Sequence, residues 1–242
     1  MKDRRTYYYI MLVALFAIYV GVQSLYPEPI QWKENYSRYS KQPFGGYITY
    51  ELLPALFPDE EIQETQSSMF DLFYGEEITD FDALVVINDA FEPDDYEIEA
   101  MNEFVNEGNY LFIAARKFSQ DLEESLEFRA KTFRWNFAID SGAAQLVNPA
   151  LSATEFEWGD GPELRDYISE FDSSYSTVLG YNPDNRVNFL KIPYGDGAYF
   201  ICTTPLMFTN YHLTDSSNYQ FSQWALSYLP SDARVAWDEY YK

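Results

Sequence analysis

The segment Asp82–Ala115 constrains the fold more than any other part of the sequence. It opens with ALVVI at Ala83–Ile87, a continuous apolar run typical of a strand that is covered on both faces. Pro93 favours the start of a helix and Gly108 favours its end. The apolar face of that helix consists of Ile98, Met101, Phe104 and Val105. A second buried strand follows at Tyr110–Ala115, and strand, helix and strand in this order predict a right-handed crossover and a parallel sheet.

Short strand-like segments separated by turns follow Thr132, and they predict antiparallel strands added to the parallel sheet. The predicted strands are 133–139, 155–158, 177–181, 187–192 and 198–203. A closing strand is expected separately at 234–237. Gly195-Asp196-Gly197 predicts a hairpin between two of them. A last helix is expected to begin near residues 215–217 and to bury Phe221, Trp224, Ala225 and Tyr228. The fold class is therefore α/β, with three layers and a mostly parallel sheet.

A buried helix bent at Pro54 is predicted between residues 47 and 57. Its apolar face is formed by residues at helical spacing and is broadened by their neighbours: Ile48, Leu52 and Leu56, with Tyr50, Leu53 and Phe57. A first strand is expected near Gln31–Tyr36, a short strand at 61–65, and a loop or short helix at 70–74.

The stretch Tyr7–Tyr26 carries no charge over twenty residues, which is the length that a helix needs to cross a bilayer. Lys2, Arg4 and Arg5 precede it, and positive residues at this place favour a cytoplasmic N-terminus and an exported domain. The alternative is a cleaved signal peptide, although the apolar run is long for one. We expect residues 1–26 to form a cytoplasmic tip and transmembrane helix, 27–40 a juxtamembrane linker with the first strand, and 41–242 the α/β domain.

Charge excludes several classes of function. Beyond residue 26 the chain has 13 basic and 38 acidic residues, a net charge of −25, which argues against nucleic acid and anionic lipid surfaces as partners. No acidic stretch has the spacing of a calcium loop, so no metal and no cofactor is expected. Cys202 is the only cysteine, so the domain contains no internal disulfide.

Several segments resemble the extracytoplasmic domain of an uncharacterised family of bacterial membrane proteins, known only as a domain of unknown function. These segments are QPFGGYITYELLPALFP, ALVVIND, FVNEGNYLFIAA, GDGAYFICTTPLMFTNYHL and WDEYY. That family is similar in fold to class I glutamine amidotransferases, a flavodoxin-like arrangement, and to a domain of gliding-motility and transport-associated membrane proteins. The resemblance implies a second membrane helix after WDEYY, location in the inner membrane facing the periplasm, and partners among cell-envelope proteins, including those encoded near MoxR-type ATPases.

An amidotransferase-like enzyme needs a nucleophile on the sharp turn after a central strand. Here that turn reads Ala115-Arg116-Lys117, without Cys, Ser or Thr, so we expect a non-catalytic version of the fold. The alternative is a hydrolase or amidotransferase-like enzyme that uses Cys202 and His212. A lone cysteine inside a strand is more often a small buried apolar residue.

Polar residues follow several predicted strands, and ligands of open α/β sheets collect outside the carboxyl ends of their strands. The candidate ligand-binding residues are Asn88, Asp89, Arg116, Thr203, Thr204, Asn210, Tyr211 and His212. Phe44-Gly45-Gly46 could line the same crevice, although it lacks the spacing of a phosphate-binding loop. The leading hypothesis is a membrane-tethered, non-catalytic binding or scaffold domain. A structural spacer within a membrane assembly is a third reading, in which these side chains serve turns and caps.

Overall fold

The structure is a computed structural model, and it describes residues 2–25, 29–58, 61–75, 80–132, 142–147, 155–158, 165–214 and 218–242. The chain divides into two compact units, Met1–Gln31 and Trp32–Lys242. The first unit contains helix α1 (Lys2–Leu25), in which Arg4–Val22 is long and apolar enough to cross a membrane and is not buried. Tyr26, the predicted end of the membrane helix, lies outside the described residues.

The second unit is built around a mixed sheet of nine strands. Their spatial order is β1 (Gln63–Thr65), β13 (Val235–Asp238), β2 (Ala83–Ile87), β4 (Tyr110–Ala114), β12 (Gly197–Cys202), β11 (Val187–Tyr194), β10 (Thr177–Tyr181), β7 (Gly142–Leu146) and β8 (Glu155–Trp158). The first five of these strands are parallel, and the last four are added antiparallel. The predicted α/β fold with a mostly parallel sheet and added antiparallel strands is thereby confirmed at this level.

Helices cover both faces of the sheet, which makes the unit three-layered. They are α2 (Tyr47–Leu56), α3 (Met69–Tyr74), α4 (Asp95–Asn106), α5 (Gln120–Ser125), a 3-10 helix (Pro205–Phe208), α6 (Asn210–Leu213) and α7 (Tyr219–Leu226). One core joins Leu53 of α2 and Phe221 of α7 to Phe112 of β4, whereas the other joins Met101 of α4 to Ile113 of β4. Alternation along β4 therefore supplies both cores, as expected for a strand buried on both sides.

The crossover from β2 through α4 to β4 forms as predicted. Asp94 caps α4: its side chain accepts from the backbone N–H of Glu97, whose own carboxylate accepts from the N–H of Asp94. Gly108 adopts a φ of +103° after the helix, a conformation that favours glycine. The chain then enters β4 beside β2. The predicted hairpin also forms between β11 and β12, with Gly195 at a φ of +58°.

Two short sheets complete the fold. β3 (Ala90–Phe91) pairs in parallel with β5 (Lys117–Phe118), and β6 (Phe128–Lys131) pairs antiparallel with β9 (Tyr167–Phe171). The first of these sheets extends β2 and β4 beyond their carboxyl ends, because β3 begins three residues after the end of β2 and β5 three residues after the end of β4.

The expected strand at Gln31–Tyr36 is replaced by a segment without regular secondary structure. The backbone N–H groups of Asn35 and Tyr36 both donate to the carbonyl of Phe44, and Tyr36 has a φ of +48°, so the chain turns instead of extending. The strand predicted at 133–139 and the cap predicted at 215–217 lie outside the described residues.

Helix α2 forms at the predicted place, and the predicted apolar face is confirmed at Leu53 and Phe57, which are buried. Thr49 and Leu53 are the buried positions, while Ile48, Leu52 and Leu56 are half-buried. The Thr49 hydroxyl donates to the carbonyl of Phe208 at 2.6 Å, which turns this polar side chain towards the interior.

Candidate functional site

The carboxyl ends of β2, β4 and β12 lie side by side because these three strands are parallel neighbours. Each strand is followed by polar residues: Asn88 and Asp89 after β2, Arg116 and Lys117 near β4, and Thr203 and Thr204 after β12. The edge therefore gathers the cluster that we call the strand-end site, defined by Asn88, Asp89, Arg116, Lys117, Asp166 and Thr203.

Arg116 is the centre of the strand-end site. Its Nε donates to Oδ2 of Asp166 at 2.8 Å, and its guanidinium lies 3.4 Å from Oδ1 of Asp89. Lys117 forms an ion pair with the other oxygen of Asp89, with 2.7 Å between Nζ and Oδ2. The backbone N–H groups of Arg116 and Lys117 both donate to the carbonyl of Asp89, which fixes the turn after β4.

Asp166 was not singled out by the sequence, yet it is fully buried at the strand-end site. Its carbonyl accepts from the hydroxyl of Thr203 at 2.9 Å, so both its backbone and its side chain are held there. Burial disfavours the charge on Arg116, but Asp166 and Asp89 outweigh it, and the pKa of the guanidinium is raised. Asp166 belongs to an acidic stretch without recognisable spacing, so the sequence offered no signal for its role.

The segment at Glu34–Tyr36 lies beside this cluster. The buried Tyr36 hydroxyl donates to Oε2 of Glu34 at 2.9 Å, and burial, Glu34 and Asp89 together raise the pKa of the phenol. Arg116 also interacts electrostatically with Glu34. The segment predicted as a strand thus contributes a carboxylate and a buried hydroxyl to the edge of the sheet.

Asn88 serves the backbone of its own turn. Its side-chain amide donates to the carbonyl of Ala90 at 3.1 Å, and its side-chain oxygen accepts from the N–H of Asp89 at 2.8 Å. These contacts match the structural role expected of a polar residue in a turn.

Cys202 ends β12 and is completely buried. Its sulfur lies 3.3 Å from the hydroxyl oxygen of Thr204, which also accepts from the side-chain amide of Asn188 at 3.4 Å. Burial raises the pKa of the thiol to about 11. A thiol in this state is a poor nucleophile, because the thiolate is the reactive form.

Asn210 is buried in a different part of the fold. Its Nδ2 donates to the carbonyls of Ser40 and Gln42, both at 2.8 Å, and its Oδ1 accepts from the N–H of Ile48 at 2.8 Å. The backbone N–H of Asn210 also donates to the carbonyl of Gly45. Through these four hydrogen bonds, Asn210 holds the loop before α2 in place.

Tyr211 lies in an aromatic group with Trp32 and Phe44, at ring-centroid distances of 5.6 and 5.9 Å. His212 is buried and meets the ring of Tyr211 edge-on at 5.2 Å. Of the eight candidate residues, Asn88, Asp89, Arg116 and Thr203 therefore belong to the strand-end site, and Asn210, Tyr211 and His212 form a second group beside residues 32–48. Thr204 contacts Cys202 and Asn188 instead. Gly46 allows the close approach of that loop, since a Cβ there would come within 2.4 Å of the carbonyl of Tyr36.

A buried carboxylate at the end of β13 was also missed by sequence reasoning. Asp238 is fully buried and accepts from the backbone N–H groups of Tyr240 and Tyr241 at 3.1 and 3.3 Å. Burial raises its pKa to about 6. Across the described ranges, no three His, Cys, Asp or Glu side chains are placed to hold a metal ion.

Comparison with known families gives one match. The model of a family described as a domain of unknown function, DUF4350, matches residues 38–226. This agrees with the resemblance to an uncharacterised family. A search among curated proteins found no match.

Several solved structures are similar to this chain. The mmIFT52 N-terminal domain is 13% identical, with 80% of this chain and 93% of that chain covered and a TM-score of 0.54. The exo-β-1,4-mannosidase Op5Man5 from Opitutaceae bacterium strain TAV5 is 12% identical, with 84% and 34% covered and a TM-score of 0.48. The cytoplasmic protein STM3548 from Salmonella typhimurium is 13% identical, with 70% and 76% covered and a TM-score of 0.40. At 13% identity, the likeness to the mmIFT52 N-terminal domain concerns the fold alone.

Proposed function

Because this chain belongs to the DUF4350 family, whose description assigns no activity, we propose its function from the strand-end site: it is a membrane-anchored, non-catalytic binding or scaffold domain of a cell-envelope assembly. The observation that carries the proposal is the place of Arg116. The turn after β4, where an enzyme of the amidotransferase type would hold its nucleophile, holds a guanidinium bound to Asp166 and Asp89.

The state of Cys202 supports the same proposal against a hydrolase that uses Cys202 and His212. A catalytic cysteine is activated by a neighbouring base or a positive environment that lowers its pKa. The described contact of the Cys202 sulfur is instead with the hydroxyl of Thr204, and burial raises the thiol pKa. Replacing Cys202 by Ala is therefore expected to leave the cellular role intact.

The proposed setting is the bacterial inner membrane, with α1 as the anchor. Lys2, Arg4 and Arg5 favour a cytoplasmic N-terminus and a periplasmic domain. For the fold we propose a relation to the class I glutamine amidotransferase type, supported by the β2–α4–β4 crossover and the sharp turn after β4. The proposed partners are membrane or envelope proteins, including those encoded near MoxR-type ATPases.

A binding role requires part of the strand-end site to be reachable, and Lys117 meets this requirement. Its side chain is 51% exposed, whereas the side chain of Arg116 is 15% exposed and that of Asp166 is fully buried. Arg116 and Asp166 therefore form the less accessible part of the strand-end site, and Lys117 and Asp89 form the part that a partner can reach.

Site-specific photo-crosslinking in intact cells tests the proposal. A benzophenone amino acid is placed at Lys117 and, as a matched control, at Glu170, an exposed position on β9. We expect a discrete membrane-protein adduct from position 117 and none of the same mass from position 170. Identical adducts from both positions, or no adduct from position 117, would refute binding at the strand ends.

A further inference from the structure

We propose that a groove between α3, α4 and Tyr240 binds a basic peptide segment of a partner protein by accepting an Arg or Lys side chain. The groove has a volume of about 290 Å³ and is lined by Ser68, Phe70, Asp94, Tyr96, Glu97 and Tyr240. We call it the acidic aromatic groove. This volume lies at the low end for small-molecule pockets, which suits one long side chain.

Three aromatic rings are exposed in the groove. Tyr96 is 68% exposed, Tyr240 is 50% exposed and Phe70 is 42% exposed. The rings of Phe70 and Tyr96 meet edge-on with centroids 6.3 Å apart. The ring centroids of Tyr240 and Tyr241 are 4.8 Å apart. Neighbouring exposed aromatic rings mark interaction surfaces, and their faces attract guanidinium and ammonium groups.

Two carboxylates, those of Asp94 and Glu97, make the groove negatively charged. Glu97 accepts from the N–H of Asp94 at 2.9 Å and from the hydroxyl of Tyr241, which fixes its orientation. Asp94 accepts from the N–H of Glu97 through Oδ1, and no hydrogen bond between described residues uses its Oδ2. Among the ion pairs of the described residues, none joins Asp94 or Glu97 to a Lys or Arg.

The surrounding sequence strengthens this negative potential. Between Lys41 and Arg116 there are 18 acidic residues and no Lys or Arg. A cation that enters the groove therefore meets unneutralised carboxylates from α4 and no basic competitor from this long stretch. Charge complementarity thus selects a basic segment over an acidic or purely apolar one.

The acidic aromatic groove shares no residue with the strand-end site, so this inference does not depend on the role proposed for Arg116 and Lys117. The two surfaces can be tested separately with the same protein. Lys117→Gln alters the strand-end site alone, and it is expected to leave binding in the groove unchanged.

Binding is measured with the full chain in nanodiscs of zwitterionic lipid, at about 0.15 M salt, where distant charges are screened. The probe is the capped peptide Gly-Arg-Gly-Arg-Gly, and the same peptide with neutral citrulline is its control. The variants are Phe70→Ala/Tyr96→Ala, which removes two rings, and Asp94→Asn/Glu97→Gln, which removes two charges but keeps the helix cap. Asp232→Asn/Glu170→Gln removes two charges at exposed positions outside the groove.

Each groove variant is expected to weaken binding of the arginine peptide about tenfold, which corresponds to about 1.4 kcal/mol. The control variant should change it less than twofold, and the citrulline peptide should not bind. Equal weakening by the groove and control variants would show diffuse attraction to an acidic protein and overturn the proposal. Unchanged binding in both groove variants, or no binding of the arginine peptide to the wild type, would also overturn it.

Discussion

Arg116 and the buried Asp166 form an ion pair at the turn after the central strand, with 2.8 Å between Nε and Oδ2. Fifty residues separate them in the sequence, so the pair joins the parallel half of the sheet to the segment that leads into β9. Under the proposed relation to the amidotransferase type, this turn is the one that would hold the nucleophile. Here the guanidinium of Arg116 lies at the turn and is bound by both Asp166 and Asp89.

Breaking this pair is expected to destabilise the protein strongly. Arg116→Met takes the guanidinium away from the buried carboxylate of Asp166, which should lower the free energy of unfolding by about 3 kcal/mol. The double variant Arg116→Met/Asp166→Asn removes that charge and should be more stable than Arg116→Met alone. The stability of both variants is measured by thermal unfolding of the full chain in nanodiscs, which is monitored by near-ultraviolet circular dichroism.

Arg129→Met is the matched control for this prediction. Arg129 pairs with Glu123 and Glu124 at the surface, where its side chain is 38% exposed, so its loss should destabilise the protein much less than the loss of Arg116. If the stability losses of Arg116→Met and Asp166→Asn simply add in the double variant, the two residues are not coupled and the prediction is wrong.

Cys202 is expected to resist alkylation in the folded protein. With a pKa of about 11, roughly one thiol in a thousand is ionised at pH 8, and burial also blocks access to the sulfur. Iodoacetamide labelling, followed by mass spectrometry, should be very slow in the native state and rapid in denaturant. Labelling at the rate of a free peptide cysteine would contradict the buried position of the thiol.

The stability of the protein should depend on the charge of Asp238. Its pKa is about 6 when folded against an ordinary value of 3.8, so the folded state binds the proton more tightly than the unfolded chain. The resulting stabilisation, about 3 kcal/mol, is present below pH 4 and is lost as the pH rises through 6. Asp238→Asn should remove this component of the pH dependence.

The measurement is the free energy of unfolding between pH 4 and 7. Asp232→Asn serves as the control, because Asp232 is exposed, and this variant should keep the slope of the wild type. An unchanged slope in Asp238→Asn would show that the buried carboxyl does not titrate in this range.

Asn210 is expected to be intolerant of the change to Asp. The substitution replaces an amide that donates to the carbonyls of Ser40 and Gln42 by an oxygen that repels them, with an expected cost of about 3 kcal/mol. Tyr211→Ala removes a half-exposed ring next to it and should cost about 1 kcal/mol. Thermal unfolding compares the stability of the two variants. A smaller loss of stability for Asn210→Asp than for Tyr211→Ala would contradict the role of Asn210 in holding the loop before α2.

The central part of the fold can be predicted because its signals are local. The apolar runs of β2 and β4 and the glycine turn before β12 each specify an element within a few residues. The place of β13 between β1 and β2 cannot be predicted from such local signals. A strand from the end of the chain enters the parallel half of the sheet there, and local periodicity carries no information about such a distant partner.

The candidate site shows the same limit. Asp89, Arg116 and Thr203 come together because they follow parallel neighbours, which is a rule of sheet geometry. Asp166 joins them through β9, whose pairing with β6 left no recognisable pattern in the sequence. Asn210 and Tyr211 lie beside residues 32–48 because the 3-10 helix and α6 lead the chain to that loop.

Photo-crosslinking from position 117 in cells that carry Cys202→Ala tests the central claim most directly. If the domain binds its partner at the strand ends without catalysis, the adduct should form with the same mass and yield as in the parent protein. Loss of the adduct in a Cys202→Ala protein that unfolds at the parent temperature would contradict the claim and favour a role for the thiol.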